Sequence, residues 1–209
     1  MARKGYCLPC RFERSTLEAM EAYTSSDQGV LRARLDALPE NIKGEVIGDT
    51  LYTMPRPRMR HMRASSFIVH HIGGKFDFDD DGHGGWWIVV EPGIEFPGAS
   101  EVSPDVAGWR RSTMPEYPPI DEPIRTVPDW VCEVLSPSSS KYDQGVKREF
   151  YSKVGVSWFW IVDPLNRYVI VRELVDGSWV IRAVVGDEEK VRLPPFEETE
   201  IPINRMWAP

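Results

Sequence analysis

The chain lacks any stretch near the ~20 uninterrupted apolar residues that a membrane span needs, which excludes a helical integral membrane protein. It also lacks a positive balance. Lys and Arg number 25 against 32 Asp and Glu, a formal charge of −7. That excludes a protein that coats nucleic acid by bulk charge, while a local basic cleft stays open. Cysteine is scarce, and three residues cannot make a disulfide framework. An odd count fits a reducing compartment, so a cytoplasmic location is expected. The N-terminal segment has basic residues but no apolar region behind them, so no secretory signal is expected. There is no internal repeat at periods of 20–50 residues and no low-complexity tract.

What is present describes an ordinary globular chain. Of its 209 residues, 42% are hydrophobic and 27% charged, enough for one domain, or one domain with a short extension. Eighteen prolines predict short elements with stiff connections. Residues 15–38 carry Leu17, Met20, Leu31, Leu35 and Leu38 among charges, which predicts one or two amphipathic helices. Residues 45–54 alternate as a strand or hairpin that Pro55 and Pro57 end. A helical stripe then runs from Met59 to about His71, with Gly73 and Gly74 as its stop.

The second half reads as mostly strand: 86–92, 93–96, 104–109, 128–135, 157–164, 167–174 and 178–185. Asp176-Gly177 marks a hairpin between the last two. One helix fits between Leu135 and Ser157, with Ser140 as its cap and Gly155 as its stop. Val146, Phe150 and Val154 form its expected buried stripe. This order predicts an α/β (α+β) domain, a mixed β-sheet flanked by helices.

Strand alternation puts Trp130, Cys132 and Val134 on one face and Val131, Glu133 and Leu135 on the other. Glu133 therefore sits among apolar neighbours. A buried carboxylate needs a partner, a metal or a raised pKa. Asp105, after Pro104, opens another short strand. Two strands presenting one carboxylate each could make an oxygen-ligand pair for a hard cation such as Mg²⁺. Asp143, Lys147 and Tyr151 form an i, i+4, i+8 row beside the buried stripe. Lys147 reads either as half of a surface pair with Asp143 or as a cation held near the two acids.

These residues, in this order, resemble a known family. Ser103-Pro104-Asp105-Val106, the run Pro128 to Ser139, then Asp143, Lys147, Tyr151, Gly155-Val156 and Trp160-Ile161-Val162-Asp163-Pro164 are similar to the Uma-type restriction endonucleases. That bacterial family belongs to the PD-(D/E)XK nuclease superfamily. The resemblance is densest over 100–170, extends over 41–72 and is absent over 1–38. It implies a restriction-endonuclease-like domain over 41–209 preceded by an N-terminal helical extension over 1–40. It further implies an endonuclease that hydrolyses DNA phosphodiester bonds with Mg²⁺ (or Mn²⁺) as cofactor and DNA as partner. Asp105 matches the first acid and Glu133 the second. The superfamily lysine would stand at Leu135, and in this family a lysine on the next helix is thought to substitute, which fits Lys147. Glu45 resembles an N-terminal acid and further metal ligand, although the Asp-Gly that usually follows reads Gly48-Asp49 here. His61 matches a recurrent histidine.

Arg56, Arg60 and Arg63 would share a helical face with phosphate in reach if the helix begins that early, and a solvated face is the alternative. Asp77-x-Asp79-x-Asp81-Gly82 starts like a calcium loop, but Ile88 stands at its twelfth position, so it reads as a solvated acidic turn. Cys7 and Cys10 have zinc-knuckle spacing without a second ligand pair and read as free thiols. Two other functions stay open: a catalytically silent nuclease-fold module for nucleic-acid binding or protein assembly, and a glycosidase using Asp105 and Glu133 as its carboxyl pair. A homodimer suits double-strand cleavage, which needs two active sites.

Overall fold

The structure, a computed structural model, describes residues 20–78, 84–96, 98, 100–119 and 122–207. Cys7, Cys10 and the first half of the 1–40 extension lie outside the described residues, as do Asp79 and Asp81. Eleven strands are described, in two sheets. The first holds β1 (Glu21–Thr24), β2 (Ile42–Ile47), β3 (Thr50–Pro55), β5 (Ile94–Phe96) and β6 (Ser100–Val102), in the order β1-β3-β2-β6-β5. The second holds β4 (Trp86–Val90), β7 (Val106–Arg110), β8 (Trp130–Val134), β9 (Trp158–Asp163), β10 (Tyr168–Val175) and β11 (Ser178–Val185). Its order is β11-β10-β9-β8-β7-β4. It is mixed, because β8 and β9 run parallel and every other neighbouring pair is antiparallel.

A parallel pair needs a crossover, and the helix α3 supplies it. It runs through a turn at Ser140–Tyr142, a π-helical stretch at Asp143–Lys147 and a regular part at Arg148–Val154. The wide turn re-phases the helix. Tyr142, Asp143, Lys147, Phe150 and Tyr151 are buried, whereas Val146 and Val154 are only partly so. The stripe expected from four-residue spacing is therefore corrected in part, since a π-bulge displaces the faces that follow it. Ser139, rather than Ser140, takes the cap position.

Two more expectations change. Within the 20–40 stretch, β1 pairs with β3, and only one helix, α1 (Gln28–Asp36), is present, capped by the Asp27 side chain. Gly73 and Gly74 do not stop the helix α2 (Met59–Ile68). It continues through a π-helical stretch at Val69–Gly73 and a turn at Gly74–Phe76, both glycines keeping right-handed dihedrals. Burying Ile68, Ile72 and Phe76 outweighs a penalty of about 1 kcal/mol for each glycine.

The β2–β3 hairpin accounts for the order Gly48-Asp49. Ile47 pairs with Thr50, and only the first turn residue, Gly48, has a positive φ, at +56°. A two-residue turn of that kind places glycine first.

The six-stranded sheet divides the core as strand alternation predicts. Trp130, Cys132 and Val134 pack with α2 and the C-terminal segment, while Val131 and Leu135 pack with α3 on the other face. The C-terminal segment carries no periodic pattern, yet it seals the first face. The Phe196 ring lies 4.9 Å from those of Phe76 and Trp86 and 5.0 Å from that of Trp130. Phe196→Ala is expected to cost about 3–5 kcal/mol in urea unfolding, as for other large aromatic core deletions. A loss below 1 kcal/mol would mean that the segment merely lies on the sheet.

Candidate active site

Strand register brings the first two acids together. Val106 pairs with Cys132, and continuing that antiparallel register by one residue sets Asp105 opposite Glu133. The Val134 backbone N–H donates to Asp105 Oδ2 at 2.7 Å, which fixes this carboxylate at the strand mouth. His61 projects from α2, and its Nε2 lies 2.9 Å from the same oxygen. Asp105 is held ionised, so Nε2 carries the proton and donates.

Glu45 comes from β2 in the other sheet, and Lys147 from α3. Lys147 Nζ donates to Glu45 Oε1 at 3.0 Å and meets Glu133 Oε1 at 2.7 Å. Tyr151, one turn further along α3, donates its hydroxyl to Glu133 Oε1 at 2.5 Å. The Ser103 backbone N–H donates to Glu45 Oε1 at 3.0 Å. Lys147 is only 2% exposed, which rejects the surface-pair reading. A small cavity opens here, lined by Asp105, Glu133, Lys147, His61, Lys43 and Asp143 among others.

Burial sets the electrostatics. It would raise the Asp105 pKa, but the His61 hydrogen bond and the Lys43 charge outweigh it and hold this carboxyl well below its usual range. Glu133 goes the other way. Burial pushes it up to about 7 against the pull of Lys147, with Asp105 and Glu45 adding to the rise. Asp143 is likewise raised, first by burial and then by Glu133. Burial disfavours the Lys147 ammonium, yet Glu133 and Glu45 more than restore it. Four buried acids (Glu45, Asp105, Glu133 and Asp143) thus share two ammonium groups, an excess of carboxyls over counter-charges that favours the protonated forms of Glu133 and Asp143.

That excess bears on whether a divalent cation fits. Each of the three nearest acids commits one oxygen to hydrogen bonds, and Glu45 Oε2 is buried without a hydrogen bond among the described residues. The donors are all oxygen, the type a hard cation selects. No three acidic, His or Cys side chains among the described residues already stand as a closed cage. Mg²⁺ needs none, because one or two carboxylates commonly hold it while waters and substrate phosphates complete its shell. The residues therefore fit such an ion.

Lys43 is the residue that sequence reasoning missed. Its ammonium lies 3.7 Å from Asp105 Oδ1, 3.7 Å from Glu91 and 3.9 Å from Glu45, and it lines the cavity. Burial works against its charge, but Asp105 and Glu45 hold its pKa above the ordinary value. The available signal was Lys43-x-Glu45, two residues on one face of a strand. Arg56 lies before α2, which begins at Met59, so the three arginines do not form one helical face. Arg56 and Arg60 line a neighbouring cleft, whereas Arg63 donates to the Arg205 carbonyl at 3.1 Å. Leu135 is buried, its N–H donating to the Val162 carbonyl.

Lys147→Met is expected to destabilise the fold by about 3–5 kcal/mol near pH 8, because it leaves two buried carboxylates without their counter-charge. A folded-state pKa raised to about 7 means that the folded protein holds the Glu133 proton more tightly than the unfolded chain. The stabilisation from that proton is present below the unfolded value and fades as pH rises through 7. Losing Lys147 raises the Glu133 pKa further, so the deficit against wild type should narrow toward pH 5. Urea unfolding across that range checks it, and a deficit that widens on acidification would refute the counter-ion role.

Comparison with known proteins bears on the family and the fold. Residues 32–204 match the family described as "Uma2: Putative restriction endonuclease". No curated protein matches the chain. Among solved structures, a putative nuclease belonging to DUF820 from Anabaena variabilis ATCC 29413 superposes with a TM-score of 0.61 at 20% identity. That alignment covers 85% of this chain and 96% of the other. One from a cryoEM DrdV-DNA complex aligns with a TM-score of 0.32 at 12% identity, over 61% of this chain and 12% of that one. No helix among the described residues is long and apolar enough to cross a membrane. With the match spanning most of its length and the fold shared with that nuclease, the chain belongs to the Uma2 family of restriction-endonuclease-like proteins.

Proposed function

We propose that the protein is a metal-dependent endonuclease that hydrolyses DNA phosphodiester bonds at the cluster of Asp105, Glu133, Glu45 and Lys147. The observation that carries this reading is the convergence, from two sheets and a helix, of two buried carboxylates, Glu45 and Glu133, on the buried Lys147, with Asp105 held beside them by His61 and Lys43. One of their oxygens, Glu45 Oε2, is buried without a hydrogen bond among the described residues, with the Tyr142 hydroxyl as its neighbour. Structural stability alone gives little reason to gather such charges, since a hydrophobic cluster of the same volume is often as stable.

Asp105 and Glu133 would hold the ion, with Glu45 as a further oxygen ligand. A divalent cation there supplies Lewis acidity toward water and the scissile phosphate. The protein groups do the rest. His61 and the Val134 N–H keep Asp105 ionised and aimed. Tyr151 and Lys147 orient Glu133 through one oxygen and leave the other toward the cavity. Lys147, held on two sides by acids, keeps that pair in place. Lys43 has no hydrogen bond to these acids and faces the cavity, so its ammonium is the one available to a phosphoryl oxygen or the attacking water. Arg56 and Arg60 provide phosphate contacts outside the acidic centre. A homodimer would bring two such sites to the two strands of a duplex.

Wild type is expected to bind Mg²⁺ or Mn²⁺ in a calorimetric titration and to nick plasmid DNA, while Glu133→Ala loses both, the nicking by about a hundredfold or more. If wild type binds no divalent ion and nicks nothing, the catalytically silent module takes over. Lys43→Met removes a buried counter-charge from Asp105 and Glu45 and should lower stability in urea; assayed where the variant is still folded, it should lower kcat by about tenfold or more, with little change in KM. A rise in KM alone would make Lys43 a uniform binding contact rather than a catalytic one.

A further inference from the structure

Beside the acidic cavity runs a cleft of about 500 Å³, a volume that suits a small organic group rather than an ion. Pro55, Pro57, His61 and Ser136 line both, so the two spaces are adjacent. The cleft wall is not what a phosphate chain alone requires. Met59 is 77% exposed and Leu165 61% exposed, and Pro137 and Pro164 line the same space. Lining one cleft together beside a polar site, these apolar side chains form a surface that a ligand could cover. Arg56 and Arg60 line the cleft as well, adding positive charge to an otherwise acidic protein.

Apolar faces for a flat ring, guanidinium groups for an anionic backbone and a reaction centre at one end describe a single occupant. We infer that the cleft between Met59 and Leu165 receives an unstacked nucleobase of the DNA strand whose phosphate lies at the acidic centre, so that the protein favours unpaired over fully paired DNA. The inference rests on the nuclease reading for the position of the phosphate. Its recognition chemistry is separate: a base leaving its stack loses stacking energy and recovers it against apolar side chains. An intact duplex keeps its bases inside and offers the cleft only phosphates and sugars, which leaves the exposed Met59 and Leu165 uncovered.

The test uses the full chain without divalent ion, so that binding is read apart from hydrolysis. A single-stranded oligonucleotide carrying 2-aminopurine is titrated beside the same sequence as a perfect duplex. The single strand is expected to bind about tenfold or more tightly, with a fluorescence change that reports the probe base in a new apolar contact. The doubly substituted Met59→Ala, Leu165→Ala chain, altered only at exposed positions, should lose about tenfold or more of single-strand affinity with an unchanged unfolding midpoint. Duplex binding as tight as single-strand binding, or wild-type affinity in the double variant, overturns the inference. Plasmid hydrolysis by a protein with no such preference would sink this inference and leave the nuclease reading intact. Base uptake without hydrolysis in Mg²⁺ or Mn²⁺ would do the reverse.

Discussion

The ammonium of Lys147 is the contact on which the rest of the site depends. It joins three parts of the chain remote in sequence: β2 of one sheet through Glu45, β8 of the other through Glu133, and the helix that crosses between β8 and β9. A buried charge tolerates little movement, because any lengthening of its contacts leaves desolvation uncompensated. The position of Lys147 therefore sets where the two sheets stand relative to each other at the cavity. The π-helical stretch that ends at Lys147 belongs to the same constraint. It re-phases α3 so that Asp143, Lys147 and Tyr151 all turn inward, where an unbroken helix would spread positions eight residues apart by about 80°.

Around that contact the acids are treated unequally. Asp105 receives two hydrogen bonds on one oxygen and stays ionised. Glu133 and Asp143 carry the burden of excess negative charge and are drawn toward their protonated forms. The same imbalance accounts for two lysines in one small cavity. Lys147 is consumed in holding Glu45 and Glu133, and Lys43, 3.7 Å from Asp105, is not. The second strand position after Glu133 is Leu135, packed into the core, and the two lysines of the cavity come instead from a strand of the other sheet and from the crossover helix.

The neighbouring cleft shows a different chemistry within reach of the same histidine. His61 stands where the charged centre gives way to a wall of proline, methionine and leucine edged by arginine. Charge and apolar surface are thus set side by side but not mixed. That arrangement suits a ligand with an anionic chain and flat, weakly polar rings.

Local pattern carried much of this in the sequence. Strand alternation assigned Glu133 to the face opposite Trp130 and Cys132 and marked 45–54 as a strand or hairpin, Asp176-Gly177 marked the hairpin between the last two strands, and motif order pointed to Asp105, Glu133, Glu45, His61 and Lys147. These features survive because side-chain alternation and turn chemistry act over a few residues. The split into two sheets, the passage of α2 through two glycines, the burial of Phe196 in an unpatterned segment and the entry of Lys43 were decided by tertiary structure. Each depends on which surface finally covers a residue. Burying Ile72 and Phe76 overrides the helix-breaking tendency beside them, and Lys43 becomes part of a site only when Asp105 and Glu91, remote in sequence, close around it.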